Sequence, residues 1–159
     1  MYKKILVPLD GSELSECSLA HVKTIALGCG VPEVILLRVV EPLFNPDAAS
    51  DALAGKELIA QAEEENKAKA KDYMDALGER LGKEGILTQV VLLEGKPADE
   101  IMGFADKHGV DLIIMSTHGR SGITRWLLGS VAERVVRHSA VPVLTVSPAE
   151  CRLSSADSH

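Results

Sequence analysis

Aromatic residues, basic residues and long apolar runs are all scarce in this chain, and each shortage excludes a class of protein. Only 3% of the 159 residues are aromatic, so the core has to be built from aliphatic side chains. No apolar run reaches the roughly 18 residues of a membrane span, and strand-like sequence starts at once, so we expect neither a spanning helix nor a signal peptide. The net charge of −6 argues against a general nucleic-acid binder, which needs a basic face.

Cysteine is scarce as well. Cys17, Cys29 and Cys151 are odd in number and lack the spacing of a metal site, which favours a reducing compartment. We therefore predict a cytoplasmic protein. The histidines share no ligand spacing with cysteines or carboxylates, and His21 and His108 are interpreted as packed on helix stripes. No catalytic residue and no metal ligand is assigned from the sequence.

Apolar runs typical of buried strands alternate with helical spacings along the whole chain. We predict strands over 5–9, 34–40, 86–93, 112–115 and 141–146, with helices starting near 12, 56, 97 and 130. The segment 41–55 is predicted to be a long mobile loop, and the chain is divided into one domain over 1–147 and a polar tail over 148–159. The fold class is α/β: one doubly wound open sandwich with a five-stranded parallel sheet and helices on both faces.

The stretch 115–119, followed after nine residues by Gly129 and Ser130, is the main functional signal. It runs from a buried strand through a glycine-bearing loop into a helix N-terminus, an arrangement that holds phosphates. Arg120 lies in this loop and suits a phosphate, or is an ordinary exposed arginine. Ser130 heads a capping-box pattern, so its hydroxyl either caps the helix or binds a phosphate oxygen. The glycines have a plainer interpretation as turn residues.

Asp10 ends the first predicted strand. An acidic residue at such a strand end accepts hydrogen bonds from ribose hydroxyls in nucleotide-binding α/β proteins. Asp10-Gly11-Ser12 is equally ordinary turn chemistry, so capping of the following helix stays an open alternative.

With these residues in place, the chain resembles the universal stress protein family over nearly all of 1–147. The likeness is strongest over 4–12, 34–39 and 111–146. ATP-binding members carry glycine, two residues, glycine, nine residues, then glycine and serine or threonine. Gly119 and Gly129-Ser130 match the later parts of this motif, and Ser116 stands where its first glycine would be.

The resemblance implies a strand order of 3-2-1-4-5, an ATP site, and a homodimer that pairs through the fifth strand, 141–146. It implies that Asp10 binds ribose and that any Mg²⁺ or Mn²⁺ is carried by the phosphates. The implied adenine pocket consists of Pro8, Leu9, Val39 and Met115. The implied phosphate site consists of Ser116, Gly119, Arg120, Gly129, Ser130 and Val131.

The sequence thus predicts an ATP-binding, nucleotide-dependent stress-response homodimer with an unidentified protein partner, without a nucleic-acid or membrane partner. The alternatives are an interaction module of the same fold that does not bind ATP, and a binder of another adenine nucleotide, such as AMP or a signalling form. No efficient catalytic device is evident. Slow ATP hydrolysis, or autophosphorylation at Ser121 or Ser130, stays open.

Overall fold

The computed structural model describes residues 1–43, 53–117 and 128–147. The strands in these ranges are β1 (Lys4–Pro8), β2 (Glu33–Val40), β3 (Thr88–Glu94), β4 (Leu112–Ser116) and β5 (Val143–Val146). The helices are a 3₁₀ turn (Ser15–Ser18), α1 (Leu19–Gly28), α2 (Leu53–Lys83), α3 (Pro97–Lys107) and α4 (Ser130–His138).

The five strands form one parallel sheet in the order β3-β2-β1-β4-β5. The predicted fold class and strand order are confirmed. Because all strands run the same way, their carboxyl ends meet along a single edge. The direction of winding reverses between β1 and β4, and ligands of open α/β sheets bind at such a point.

Each face of the sheet has its own aliphatic core. Val7, Leu36 and Ile114 pack with α1 and α2 on one face, whereas Leu6 and Leu37 pack with α3 and α4 on the other. Neighbouring residues of a strand point to opposite faces. The face of the sheet on which a side chain at the carboxyl edge lies therefore follows from its position along the strand.

The first helical segment differs from its prediction. A 3₁₀ turn over Ser15–Ser18 comes before α1, and the buried residues of α1 are Leu19, Val22 and Ala26. His21 is only half-buried. The change from three residues per turn to 3.6 shifts the apolar stripe, which a single helical spacing from residue 12 could not anticipate.

Two other predictions also need correction. His108 is exposed at the end of α3, where its ring stacks on Phe104 with 3.9 Å between centroids, so it is not a core residue. The predicted loop 41–55 is shorter than expected, because α2 already begins at Leu53. Residues 44–52 of that loop lie outside the described residues, as does the tail after Ser147.

The cysteines do not support the compartment argument. Cys17 is disulfide-bonded, and Cys29 is an exposed free thiol. The cytoplasmic assignment therefore stays a prediction without help from cysteine chemistry. Within 1–43, 53–117 and 128–147, no helix combines the length and the apolar character needed to cross a membrane.

A carboxylate fixes the amino ends of β1 and β4 side by side. Oδ2 of Asp111 accepts hydrogen bonds from the backbone N–H groups of Lys3 and Lys4 at 2.7 and 2.9 Å. The N–H of Asp111 in turn donates to the carbonyl of Lys4 at 2.9 Å. The two backbone donors lower the pKa of Asp111 below its ordinary value, with the Lys3 bond the larger cause.

We expect Asp111→Asn to lower the melting temperature at neutral pH. A lowered carboxyl pKa stabilises the fold above the unfolded-state pKa of about 4, and this stabilisation disappears as pH falls through the folded-state value. The difference in melting temperature from the parent should therefore shrink on acidification. Asp106→Asn, at an exposed site on α3, is the matched control. A difference that stays constant across the acid range would contradict this account.

Candidate functional site

A cavity of about 680 Å³ opens at the carboxyl edge of the sheet. Its floor comes from the ends of β1, β2 and β4, and further walls come from α2 and from the N-terminal turns of α3 and α4. The described residues that line it are Pro8, Leu9, Asp10, Gly11, Ser15, Leu37, Arg38, Val39, Val40, Glu41, Leu43, Asn66, Lys69, Ala70, Tyr73, Pro97, Ile101, Met115, Ser116, Thr117, Gly129, Ser130, Val131 and Ala132.

The structure brings most of the predicted site residues to this one cavity. They come from three strand ends and the start of α4, and they are Pro8, Leu9, Asp10, Val39, Met115, Ser116, Gly129, Ser130 and Val131. The remaining two, Gly119 and Arg120, lie outside the described residues, as do His118 and Ser121. The shared location of the nine described residues is an observation, and the role of these residues in binding a ligand stays a prediction.

Asp10 sits in a tight turn directly after β1. Its Oδ1 accepts hydrogen bonds from the Ser12 N–H at 2.8 Å and the Ser12 hydroxyl at 2.5 Å. Gly11 has a φ of +83°, which glycine adopts at little cost. The turn chemistry considered for Asp10 is therefore present. Asp10 also lines the cavity, so the ribose contact predicted for it stays a prediction beside this turn.

Ser116 ends β4 on the same side of the sheet as Ile114, the side of α1 and α2. The hydroxyl donates to the Ser15 carbonyl at 3.1 Å, and the residue is only 8% exposed. Ser15 belongs to the 3₁₀ turn that follows the Asp10 turn. The side chain that replaces the first motif glycine is thus engaged with the protein's own backbone.

The start of α4 differs from the predicted capping box. Gly129 is the N-cap, with a φ of −58° and a ψ of 152°, and no side chain caps the helix. Ser130 is already helical, and Glu133 pairs with Arg137 at 3.0 Å on the exposed side. The prediction failed because glycine also serves well as an N-cap, which moves the helix start by one residue.

This geometry leaves backbone donors at the cavity wall. The Glu133 N–H donates to the Gly129 carbonyl at 2.8 Å, which is the first bond of the α4 ladder. The N–H groups of residues 130–132 come before that bond, so the helix itself gives them no acceptor. They carry the positive end of the helix dipole. The Gly129 N–H donates to the Thr117 carbonyl at 2.7 Å and so ties α4 to the end of β4.

The wall formed by α2 carries polar groups that the sequence analysis missed. Tyr73 donates its hydroxyl to Oε2 of Glu16 at 2.6 Å, and Arg80 binds Oε1 of the same carboxylate at 2.7 Å. Burial, with the Glu16 hydrogen bond as the next cause, raises the pKa of Tyr73 well above its ordinary value, so the hydroxyl stays protonated. Arg38, Asn66 and Lys69 line the same side.

The local sequence gave only a weak signal for these residues. Arg38 is the one charged residue inside the apolar run 34–40. A charged side chain in such a run indicates a polar environment at that position. The contribution of α2 depends on where a long helix crosses the strand ends, which local spacing does not show.

Comparison with known proteins places the chain in a family. The model of the universal stress protein family matches residues 1–147. Universal stress protein MJ0577 of Methanocaldococcus jannaschii is 39% identical over 155 residues, covering 92% of this chain and 95% of that protein. Universal stress protein MJ0531 of the same organism is 38% identical over 146 residues, covering 92% of this chain and 82% of that protein.

Solved structures show the same fold. The structure of MJ0577 matches with a TM-score of 0.80 at 35% identity, covering 92% of this chain and 96% of that one. A universal stress protein from Archaeoglobus fulgidus, solved in complex with dAMP, matches with a TM-score of 0.63 at 24% identity, covering 91% and 97%. The sheet order, the family match over residues 1–147 and the relatives at more than 30% identity agree: this chain belongs to the universal stress protein family.

Proposed function

We propose that this universal stress protein binds an adenine nucleotide, with ATP as the principal ligand, in the cavity at the carboxyl edge of its sheet. The observation that carries the proposal is the convergence of the β1, β2 and β4 ends and the N-terminal turn of α4 on one cavity. We further propose that the protein acts as a nucleotide-dependent regulatory homodimer in the cytoplasm, without a catalytic residue of its own.

The two ends of the cavity suit the two ends of a nucleotide. Pro8, Val39 and Met115 offer apolar surface for a base, and the backbone of β2 offers hydrogen-bonding groups to its edge. The N–H groups at the start of α4 and the Ser130 hydroxyl offer donors to phosphate oxygens. Asp10 lies on the β1 side of the cavity and suits the ribose hydroxyls.

The contact made by Ser116 supports binding rather than a module that has lost it. A serine in place of the motif glycine would obstruct a phosphate if its hydroxyl pointed into the cavity. The hydrogen bond to the Ser15 carbonyl holds the hydroxyl on the α1–α2 side of the sheet, whereas α4 packs on the opposite side. The main argument for a protein that does not bind nucleotide is therefore weakened.

A metal ion, in this proposal, is bound through the ligand. Within the described part of the chain, no three His, Cys, Asp or Glu side chains are grouped to hold one. Mg²⁺ or Mn²⁺ would then reach the site on the phosphates of ATP.

The A. fulgidus relative solved with dAMP shows that a protein of this fold takes an adenine nucleotide.

The proposed dimer uses the edge of the sheet at β5. Among the strands that the structure describes, β5 pairs with β4 alone, and Val143, Leu144 and Thr145 are partly exposed. An apolar edge strand with one unpaired side invites pairing with a second chain. Antiparallel pairing of two β5 strands would join two sheets across a two-fold axis.

Isothermal titration with Mg-ATP should show one nucleotide bound per protomer. Asp10→Asn should weaken binding about tenfold, because the amide oxygen preserves the Ser12 turn but loses the charge that accepts ribose hydroxyls. Gly129→Val should also weaken binding, because its φ of −58° tolerates valine while the new side chain fills space beside the phosphates. Asp72→Asn, exposed on α2, is the control. No heat with ATP, ADP or AMP would overturn the proposal, and binding of AMP alone would replace ATP with another adenine nucleotide.

Ser116→Ala should separate stability from binding. Removing the hydroxyl breaks the bond to the buried Ser15 carbonyl, and we expect a loss of about 1 kcal/mol in the free energy of unfolding. ATP affinity should change by less than about threefold, which corresponds to about 0.7 kcal/mol. The checks are denaturant unfolding and the same titration. A large loss of affinity without a loss of stability would show that the hydroxyl contacts the ligand.

Sedimentation velocity tests the dimer. The parent protein should sediment as a dimer, and Thr145→Asp should shift it toward monomer, because the two-fold axis brings like charges together across the paired strands. Gln89→Asp, on the opposite edge strand β3, is the matched control and should stay dimeric. A monomeric parent, or equal dissociation by both variants, would rule out the β5 interface.

A further inference from the structure

The cavity continues past the proposed nucleotide site toward α2. Leu37 and Val39 of β2 face the α3–α4 core, and Leu36 faces the α1–α2 core. Arg38 lies between Leu37 and Val39 and so extends to the α2 side. There it lines the cavity with Asn66, Lys69 and Tyr73. We call this part, defined by these four residues, the α2 lobe. None of the four belongs to the nucleotide site described above.

The guanidinium of Arg38 lies directly against the Asp10 turn. A Cβ atom built on Gly11 would overlap Nη1 of Arg38 and lie 3.2 Å from its Cζ. Gly11 immediately follows Asp10, the residue proposed to bind ribose hydroxyls. The arginine is therefore next to the position of the sugar, on the side away from α4.

The charges around the α2 lobe favour an anion near the sugar. Arg38 and Lys69 bring two positive charges, and Asn66 adds amide donors. Of the nearby carboxylates, Glu16 is engaged by Tyr73 and Arg80. Glu41 is exposed at the rim, Glu63 accepts the Leu43 N–H, and Asp10 accepts two hydrogen bonds from Ser12. Arg38 has five N–H donors, so it can bind a phosphate oxygen in addition to a protein partner.

The chemistry of ribose recognition indicates what this anion is. In nucleotide-binding α/β proteins an acidic side chain accepts hydrogen bonds from a free ribose hydroxyl, whereas a nearby arginine binds a phosphate on that ribose. This cavity holds both types of residue at one turn. A phosphate on one ribose oxygen could contact Arg38 while the other hydroxyl stays with Asp10.

We propose that the preferred ligand is an adenine nucleotide with an additional phosphate on the 2′ or 3′ oxygen of its ribose, bound by Arg38 and Lys69 in the α2 lobe. This inference rests on the proposed function, because it places the adenosine part in the same cavity. It adds a specificity site that binds a phosphate on the ribose rather than the 5′ phosphates.

The test compares the affinities of AMP, adenosine 2′,5′-bisphosphate and adenosine 3′,5′-bisphosphate for the protein of residues 1–159. One of the two bisphosphates should bind about 10- to 100-fold more tightly than AMP, as expected for new charge-assisted hydrogen bonds. The advantage should fall as salt is raised, because Lys69 is exposed to solvent and its charge is screened. Arg38→Gln and Lys69→Gln should each weaken binding of the preferred bisphosphate by a larger factor than binding of AMP.

Lys71→Gln is the matched control, since Lys71 lies on the same helix but pairs with Asp75 outside the cavity. Lys69 is exposed, so Lys69→Gln should fold normally. This variant alone can test the inference if Arg38→Gln does not fold. AMP and ATP binding without a preference for either bisphosphate would overturn this inference and leave the nucleotide proposal standing. A preference unchanged in both variants would also overturn it. Failure of every nucleotide to bind would overturn both proposals.

Discussion

The parallel pairing of β1 with β4 determines where this protein can hold a ligand. The chain winds outward in one direction from β1 and in the other from β4, so the helices that follow these two strands, α1 and α4, lie on opposite faces of the sheet. Asp111 fixes this pairing from the opposite end, where its carboxylate holds the backbone of Lys3 and Lys4. The position of the cavity therefore depends on hydrogen bonds at the far end of the same two strands.

The 3₁₀ turn at Ser15–Ser18 holds the rim of the cavity in place. The Ser15 N–H donates to the Ser12 hydroxyl at 3.1 Å, and the Ser15 hydroxyl donates to the Ser12 carbonyl at 2.8 Å. The Ser15 carbonyl accepts from Ser18 at 3.0 Å and from Ser116 at 3.1 Å. Four serines thus connect the end of β1 to the end of β4. A site fixed in this way before a ligand arrives loses less conformational entropy on binding.

Glu16 extends this network to α2. It lies in the same 3₁₀ turn and binds both Tyr73 and Arg80. The helix that forms the outer wall of the cavity is therefore connected to the 3₁₀ turn that follows the Asp10 turn. Sequence alone could not reveal this connection, because Glu16 and Tyr73 are 57 residues apart along the chain.

Local sequence patterns predicted most of the fold, because the strands are short apolar runs bounded by turn residues. The order of the strands came from family resemblance, since periodicity does not say which strands are neighbours. Prediction failed where two local structures compete for the same residues, as at the 3₁₀ turn and at the Gly129–Ser130 helix start. For the site, it could be predicted that residues at the strand ends lie together, because the carboxyl ends of parallel strands meet at one edge of the sheet. Arg38 and Lys69 could not, because their position depends on how α2 crosses β2.

A titration of isotope-labelled protein with Mg-ATP, followed by amide resonances in two-dimensional NMR, tests nucleotide binding in this cavity most directly. The account predicts saturable shifts at Asp10, Gly11, Val39 and the first turn of α4, with little change at the amino ends of the strands near Ile86 and Asp111. Shifts confined to another surface, or none at millimolar ATP, would contradict it.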